Sequence, residues 1–279
     1  MNVRFWAWAS VVANIVIILT GGLVRLTGSG LGCDEWPKCT EDSWTAHGSL
    51  GIHGAIEFGN RLLMFALIGV AATTFLAVWR WSGTNRSLRR HAAVLTVGVP
   101  FQGVIGGIVV LTELNPWIVA LHLVLSMALV AGSIWLVQRV GDRPPVAISP
   151  RLHALAWATF AALLVAIYLG TIVTGSGPHA GDEKAPRNNL NPEQWSKIHA
   201  TSVWLLVALT VALVVLLRSR IVAILLLAEL AQGTIGYVQY FTDLPIALVA
   251  AHLVGAATLL AIATRIVVGV RGTDVAART

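Results

Sequence analysis

Apolar residues arrive in eight long runs, near 6–26, 56–79, 91–112, 116–138, 152–174, 196–217, 221–241 and 245–268. Roughly 20 residues at 1.5 Å each cross about 30 Å of hydrocarbon, so each run predicts a membrane-spanning helix. The first run is too long, and too rich in Gly and Thr at its end, for a cleaved signal peptide. No small-residue cleavage site follows a short apolar core, and it is read as a true span. The pattern predicts an all-α integral membrane protein with eight transmembrane helices.

Composition agrees. Of 279 residues, 56% are apolar and 11% charged, whereas a soluble surface calls for about 25% charged residues. Charge then sets the orientation. With a cytoplasmic N-terminus, thirteen of the nineteen Lys and Arg residues fall inside, including Arg4, the cluster Arg86, Arg89 and Arg90, and Arg278. The other six are Arg25, Lys38, Arg61, Lys184, Arg187 and Lys197. This positive-inside bias predicts a multi-pass cell-membrane protein with both termini cytoplasmic. The net charge of +6 then reflects an anionic leaflet and requires no nucleic acid.

The chain repeats itself. Gln102-Gly103-Val104-Ile105-Gly106-Gly107 on the third span matches Gln232-Gly233-Thr234-Ile235-Gly236-Tyr237 on the seventh, an offset of 130 residues. His122 and His252 each follow their Gln by 20 residues, and Thr27-Gly28-Ser29-Gly30 is echoed by Thr174-Gly175-Ser176-Gly177. Four spans per half give both halves one orientation. The expected organisation is a four-helix half over 1–138, a cytoplasmic linker over 139–151 and a second four-helix half over 152–279. The repeated glycines are explained by close helix approach; the histidines are not.

His91 and His153 open spans beside cytoplasmic arginines, and His47 and His179 lie in outer loops. His53, His122, His199 and His252 stand at the outer ends of the four even-numbered spans. Ionisable groups within spans are costly and point to function. Two imidazoles from facing helices suit six-coordinate haem, whereas a bare zinc or copper ion would want three or four close ligands. Haem propionates would need partners at the aqueous edge, where Arg25, Arg61 and Lys197 lie beside the TGSG turns and their backbone donors. Glu57 shares a helix face with His53 four residues before and Arg61 four after. It reads as an ion pair with Arg61 or as a semi-buried acid available for proton transfer. Glu229, toward the start of the seventh span, has no such company and no role is assigned to it. Cys33 and Cys39 share the first outer loop and can close as a disulfide on the oxidising side; two free thiols are the alternative.

GGLVRLTGSGLGCDEWPKC, GTIVTGSGPHAGDE, IEFGNR and the histidines at 122, 199 and 252 together resemble the haem A synthase family along essentially the whole chain. The resemblance implies two pseudo-symmetric four-helix bundles. It implies haem b between His199 and His252 in the C-terminal half. The N-terminal half would take haem O and oxidise its C8 methyl to a formyl group, giving haem A for terminal oxidases. Glu57 matches the family's essential glutamate, and Cys33 and Cys39 its loop cysteine pair. A haem O synthase and an electron acceptor outside the chain are the partners this implies, besides the lipid bilayer, and the haem sites would face the extracytoplasmic side.

One position departs from the family. The commoner Glu-x-x-His-Arg reads here Glu57-Phe58-Gly59-Asn60-Arg61. Asn60 lies 20 residues before Arg80, as His199 lies 19 before Arg218, so Asn60 stands where the second half has a ligand. His53, seven residues earlier on the same face and roughly 10.5 Å further out, either pairs with His122 or leaves His122 alone. A two-haem b-type electron carrier and a transporter are the rival readings. All four candidate histidines lying on one side weigh against the first, and the lack of paired mid-membrane interruptions against the second.

Overall fold

The computed structural model describes residues 1–141 and 143–273. Asp142 of the linker and Arg278 of the inner charges lie outside the described residues. Among the described residues, eight helices are long and apolar enough to cross a membrane. They are α1 (Val3–Leu26), α2 (Gly51–Arg80), α3 (Arg86–Leu111), α4 (Pro116–Val140), α5 (Pro150–Ser176), α6 (Pro192–Leu217), α7 (Arg220–Phe241) and α8 (Ile246–Val268).

All eight expected spans are present, and several begin earlier than their apolar runs. Helix α2 starts at Gly51, α3 at Arg86 and α6 at Pro192. Apolarity marks the edge of the lipid, whereas the hydrogen-bond ladder starts at the cap. Asn85 accepts from the Leu88 amide, Ser149 from Leu152 and Asn191 from Gln194. Prolines 116, 150 and 192 stand in the first turn, where a missing N–H costs nothing.

The first four helices close a ring: α2 packs on α1 and α3, and α4 completes it against the same two. Helices α5–α8 repeat the arrangement, with α6 and α8 each packed on α5 and α7. Consequently α2 and α4 face each other diagonally, as do α6 and α8. The rings join through α8 against α1 and α4, and through α4 against α5. One core unites them: Ile18, Val130, Leu163, Leu213, Leu225 and Leu260 belong to a single buried cluster. This is an eight-span, two-bundle membrane fold.

The expected linker holds an element not anticipated from sequence. Strand β1 (Val146–Ile148) pairs in parallel with β2 (Val270–Gly272), Val146 opposite Val270. Three residues are too few to show a two-residue period, so only the paired chain reveals it. The pair fastens the linker to the segment that follows α8.

Glu229 also stands differently from its sequence reading. It lies nine residues into the 22-residue helix α7, about 13.5 Å along it, near mid-helix. It is 2% exposed. Its Oε1 accepts from the Thr210 hydroxyl of α6 at 2.9 Å, and its Oε2 has no partner among the described residues. The repeat offset places Val99 at this level of the first half, in the apolar cluster of Leu67, Ala71 and Val99. Replacing Thr210 with Val strands the carboxyl and is expected to lower stability by about 1–2 kcal/mol. Thermal unfolding in detergent checks this, and Thr210→Ser should restore the wild-type midpoint.

Candidate functional site

Five of the eight histidines have polar partners. His47 bonds to Ser49, His53 to Ser29, His91 to Arg139, His153 to the Trp157 indole and His179 to the Leu244 carbonyl. In the other three, His122, His199 and His252, the Nδ1 is buried with no hydrogen-bond partner, while the His199 ring meets the Ala166 backbone and the His252 ring the Gln232 backbone. An unpartnered buried polar atom costs about 1–3 kcal/mol. Three imidazoles with such an Nδ1 stand on α4, α6 and α8 and are the candidates for ligand binding.

In the second half two rings come together edge to face across the bundle. His199 and His252 have centroids 6.5 Å apart and planes inclined at 78°. A metal–imidazole bond is about 2 Å, so this spacing is compatible with one iron held by both rings. The flanking helices make room. A methyl group on Gly170 of α5 would lie 3.4 Å from His199 Cε1, and one on Gly236 of α7 would lie 3.2 Å from His252 Cε1. Gln232 of α7 donates to the His252 carbonyl at 2.6 Å, and its side chain lies over Gly255. The Ser202 hydroxyl donates to the His199 carbonyl at 2.6 Å. These bonds fix the helix segments that carry both rings. Among the described residues no three His, Cys, Asp or Glu side chains converge as a metal cluster. Two opposed imidazoles therefore fit an iron whose other ligands come from a macrocycle.

The first half keeps one side of this design. His122 lies beside Gly106 of α3, where an added methyl would be 3.6 Å from its Cε1. On the diagonal helix α2 stands Asn60, whose Oδ1 accepts from the Thr20 hydroxyl of α1 at 2.8 Å. His53 is in the first turn of α2, exposed, with Nδ1 2.9 Å from Ser29 Oγ. Ser29 is in turn hydrogen-bonded to Thr27 at 2.8 Å.

Glu57 is tightly held at the outer end. It is 5% exposed. Its Oε2 accepts from the Cys33 amide at 2.7 Å, and its Oε1 from Arg61 Nη2 at 2.6 Å. Arg61 also donates to the carbonyls of Cys33, Glu35 and Lys38. Cys33 and Cys39 form a disulfide with Cα atoms 4.4 Å apart. The carboxylate and guanidinium of α2 thus clamp a small cross-linked loop over the first bundle. That loop carries Trp36, whose indole packs on Gly107 of α3. Sequence reasoning missed Trp36. The signal was the GG pair of QGVIGG set against GTIGY, since the repeat offset aligns Gly107 with Tyr237.

The aqueous-edge groups sort differently from expectation. The backbone donors of the first TGSG turn are occupied: the amides of Gly28, Ser29 and Gly30 donate to Arg25, Val24 and Gly181 carbonyls. They are not open to propionates, because the turn is folded onto the end of α1 and the loop of the other half. Arg61 is committed to the loop. Lys197 pairs with Glu193 at 2.6 Å in solvent. Arg25 reaches across to the Thr174 carbonyl at 2.8 Å and keeps a buried, unpartnered Nε.

Comparison with known proteins adds two findings. The family described as COX15-CtaA, cytochrome oxidase assembly protein, matches residues 4–47 and 52–264, a range that includes Glu57, Asn60, His122, His199 and His252. The heme A synthase of Rhodopseudomonas palustris is 30% identical over 62% of this chain and 57% of its own. That of Methylobacterium radiotolerans is 32% identical over 64% and 57%, and that of Bradyrhizobium sp. 29% over 60% and 56%. The chain spans a little over half the length of these curated relatives.

Proposed function

The chain belongs to the COX15-CtaA family of cytochrome oxidase assembly proteins, and from that we propose that it is a haem A synthase, oxidising the C8 methyl of haem O to a formyl group. The observation that carries the reading is the set of three imidazoles with a buried, unpartnered Nδ1, two of them close together and one alone. A matched pair would suit a permanent haem b in residues 152–279, where it would supply electron transfer. The unmatched half, residues 1–138, suits the haem whose periphery is altered. The sites face the extracytoplasmic side of the cell membrane, both termini are cytoplasmic, and haem O arrives from the lipid.

In this reading His199 and His252 would hold haem b, and Gln232 and Ser202 keep their helix segments in register. His122 holds the substrate in the first half. Glu57, fixed by Cys33 and Arg61, lies three residues and one turn beyond Asn60 on the same face of α2. There it accepts protons as the methyl is oxidised to the formyl group, a net uptake of one water with release of four protons and four electrons. The disulfide loop with Trp36 covers the outer end and limits water. Arg25, with its free Nε, is the remaining cation for a propionate. The electrons leave to an acceptor outside the chain, and a haem O synthase supplies the substrate.

The test is direct. Expressed in cells that make haem O but lack other haem A synthesis, the chain should yield a haem carrying an aldehyde, read by mass and by its pyridine haemochrome. Two haems per chain with haem O left unaltered would instead identify a b-type electron carrier.

A further inference from the structure

We propose that the first half is a mono-histidine haem site whose sixth position opens toward the Asn60 carboxamide and takes a small neutral diatomic ligand, of the class of dioxygen or carbon monoxide. This rests on the reading of that half as the haem O site.

The repeat provides the argument. Three times a glycine on an odd-numbered helix makes room for a ring on an even one: Gly170 for His199, Gly236 for His252 and Gly106 for His122. The fourth corner of this pattern is Gly21 of α1, where an added methyl would lie 3.8 Å from Asn60 Nδ2. Asn60 therefore occupies the place of the fourth imidazole. A carboxamide is shorter than imidazole and its nitrogen has no lone pair to give iron, so the position opposite His122 stays vacant of protein ligand.

The carboxamide is also oriented. The Thr20 hydroxyl donates to its Oδ1 at 2.8 Å, which leaves the Nδ2 hydrogens with no acceptor among the described residues. An N–H donor near an iron ligand stabilises the partial negative charge that builds on the outer atom of a bound diatomic molecule.

His53 is held elsewhere. It is seven residues away, roughly 10.5 Å along the helix. Its Nδ1 is engaged by Ser29, and the space around its carbonyl is filled by Gly32, where no Cβ would fit. His53 and Ser29 tie the TGSG turn to α2, which gives the imidazole a structural task. The second half has His199 at the corresponding place and is closed to such ligands.

Carbon monoxide is the probe. The full-length protein loaded with haem O, reduced and exposed to the gas, should show a Soret shift in half of its haem, the other half staying low-spin. Asn60→His should abolish the CO-reactive fraction and convert it to low-spin haem. His53→Ala should leave the CO spectrum as in the wild type. Asn60→Val should still bind CO, with a raised C–O stretching frequency and dissociation faster by about fivefold, the weight of one hydrogen bond. Thr20→Val should move the frequency the same way by less. Two low-spin haems that ignore CO in the wild type, with reactivity appearing in His53→Ala, would overturn the proposal while leaving the synthase reading intact. Failure to retain a second haem at all would overturn both.

Discussion

His252→Ala should strip the second half of its haem. One of two opposed imidazoles is removed, and loss of a group merely supporting a metal ligand already weakens binding 10–100-fold; loss of the ligand itself is expected to cost at least about 100-fold. Purified protein should then carry one haem per chain instead of two. The low-spin band in the reduced-minus-oxidised spectrum should disappear, and aldehyde formation should fall below about 1% as the route for electrons is cut. Gly236→Leu provides a second arm. Even a methyl there would lie 3.2 Å from the His252 ring, so a larger side chain should displace it and give the same spectrum with the imidazole present. An unchanged low-spin band in both variants would place the haem b ligands elsewhere.

The second large effect concerns Glu57, for which two substitutions separate two roles. Glu57→Ala leaves the Cys33 amide without its acceptor and the Arg61 guanidinium without its counter-charge. Breaking a buried pair by removing one partner costs about 3–5 kcal/mol, so the loop should loosen and the unfolding midpoint fall. Glu57→Gln keeps the shape and one oxygen for the Cys33 amide but loses the charge and the basicity. Its midpoint should fall less than that of Glu57→Ala, while turnover drops by about 100-fold or more, the usual weight of a positioned proton acceptor. Wild-type turnover in Glu57→Gln together with collapse in Glu57→Ala would reduce Glu57 to a loop anchor.

How far the sequence could be read varies with the range of the interaction. Eight spans were legible because solvation by lipid acts on each residue separately, so composition along the chain reports it. Cap residues such as Asn85 and Asn191 could have moved the helix starts outward, because they act within three positions. The β1–β2 pair, the bond between Thr210 and Glu229 and the packing of Trp36 on Gly107 were not legible. Each joins residues that only the packed bundle brings together.

The histidines show the division most clearly. From the sequence alone came the eight spans, the repeat, and the fact that Asn60 breaks the symmetry of the ligand pattern. Periodicity and spacing are properties of the chain itself, and no folding is needed to count them. Only the tertiary structure separated His53, tied to Ser29, from the three imidazoles whose buried Nδ1 has no partner, and only it brought His199 and His252 together at 6.5 Å. Those four stood alike in the sequence, at the outer ends of even-numbered helices. A hydrogen bond or a facing ring depends on where a distant helix arrives, and that is fixed by the packing of the two rings.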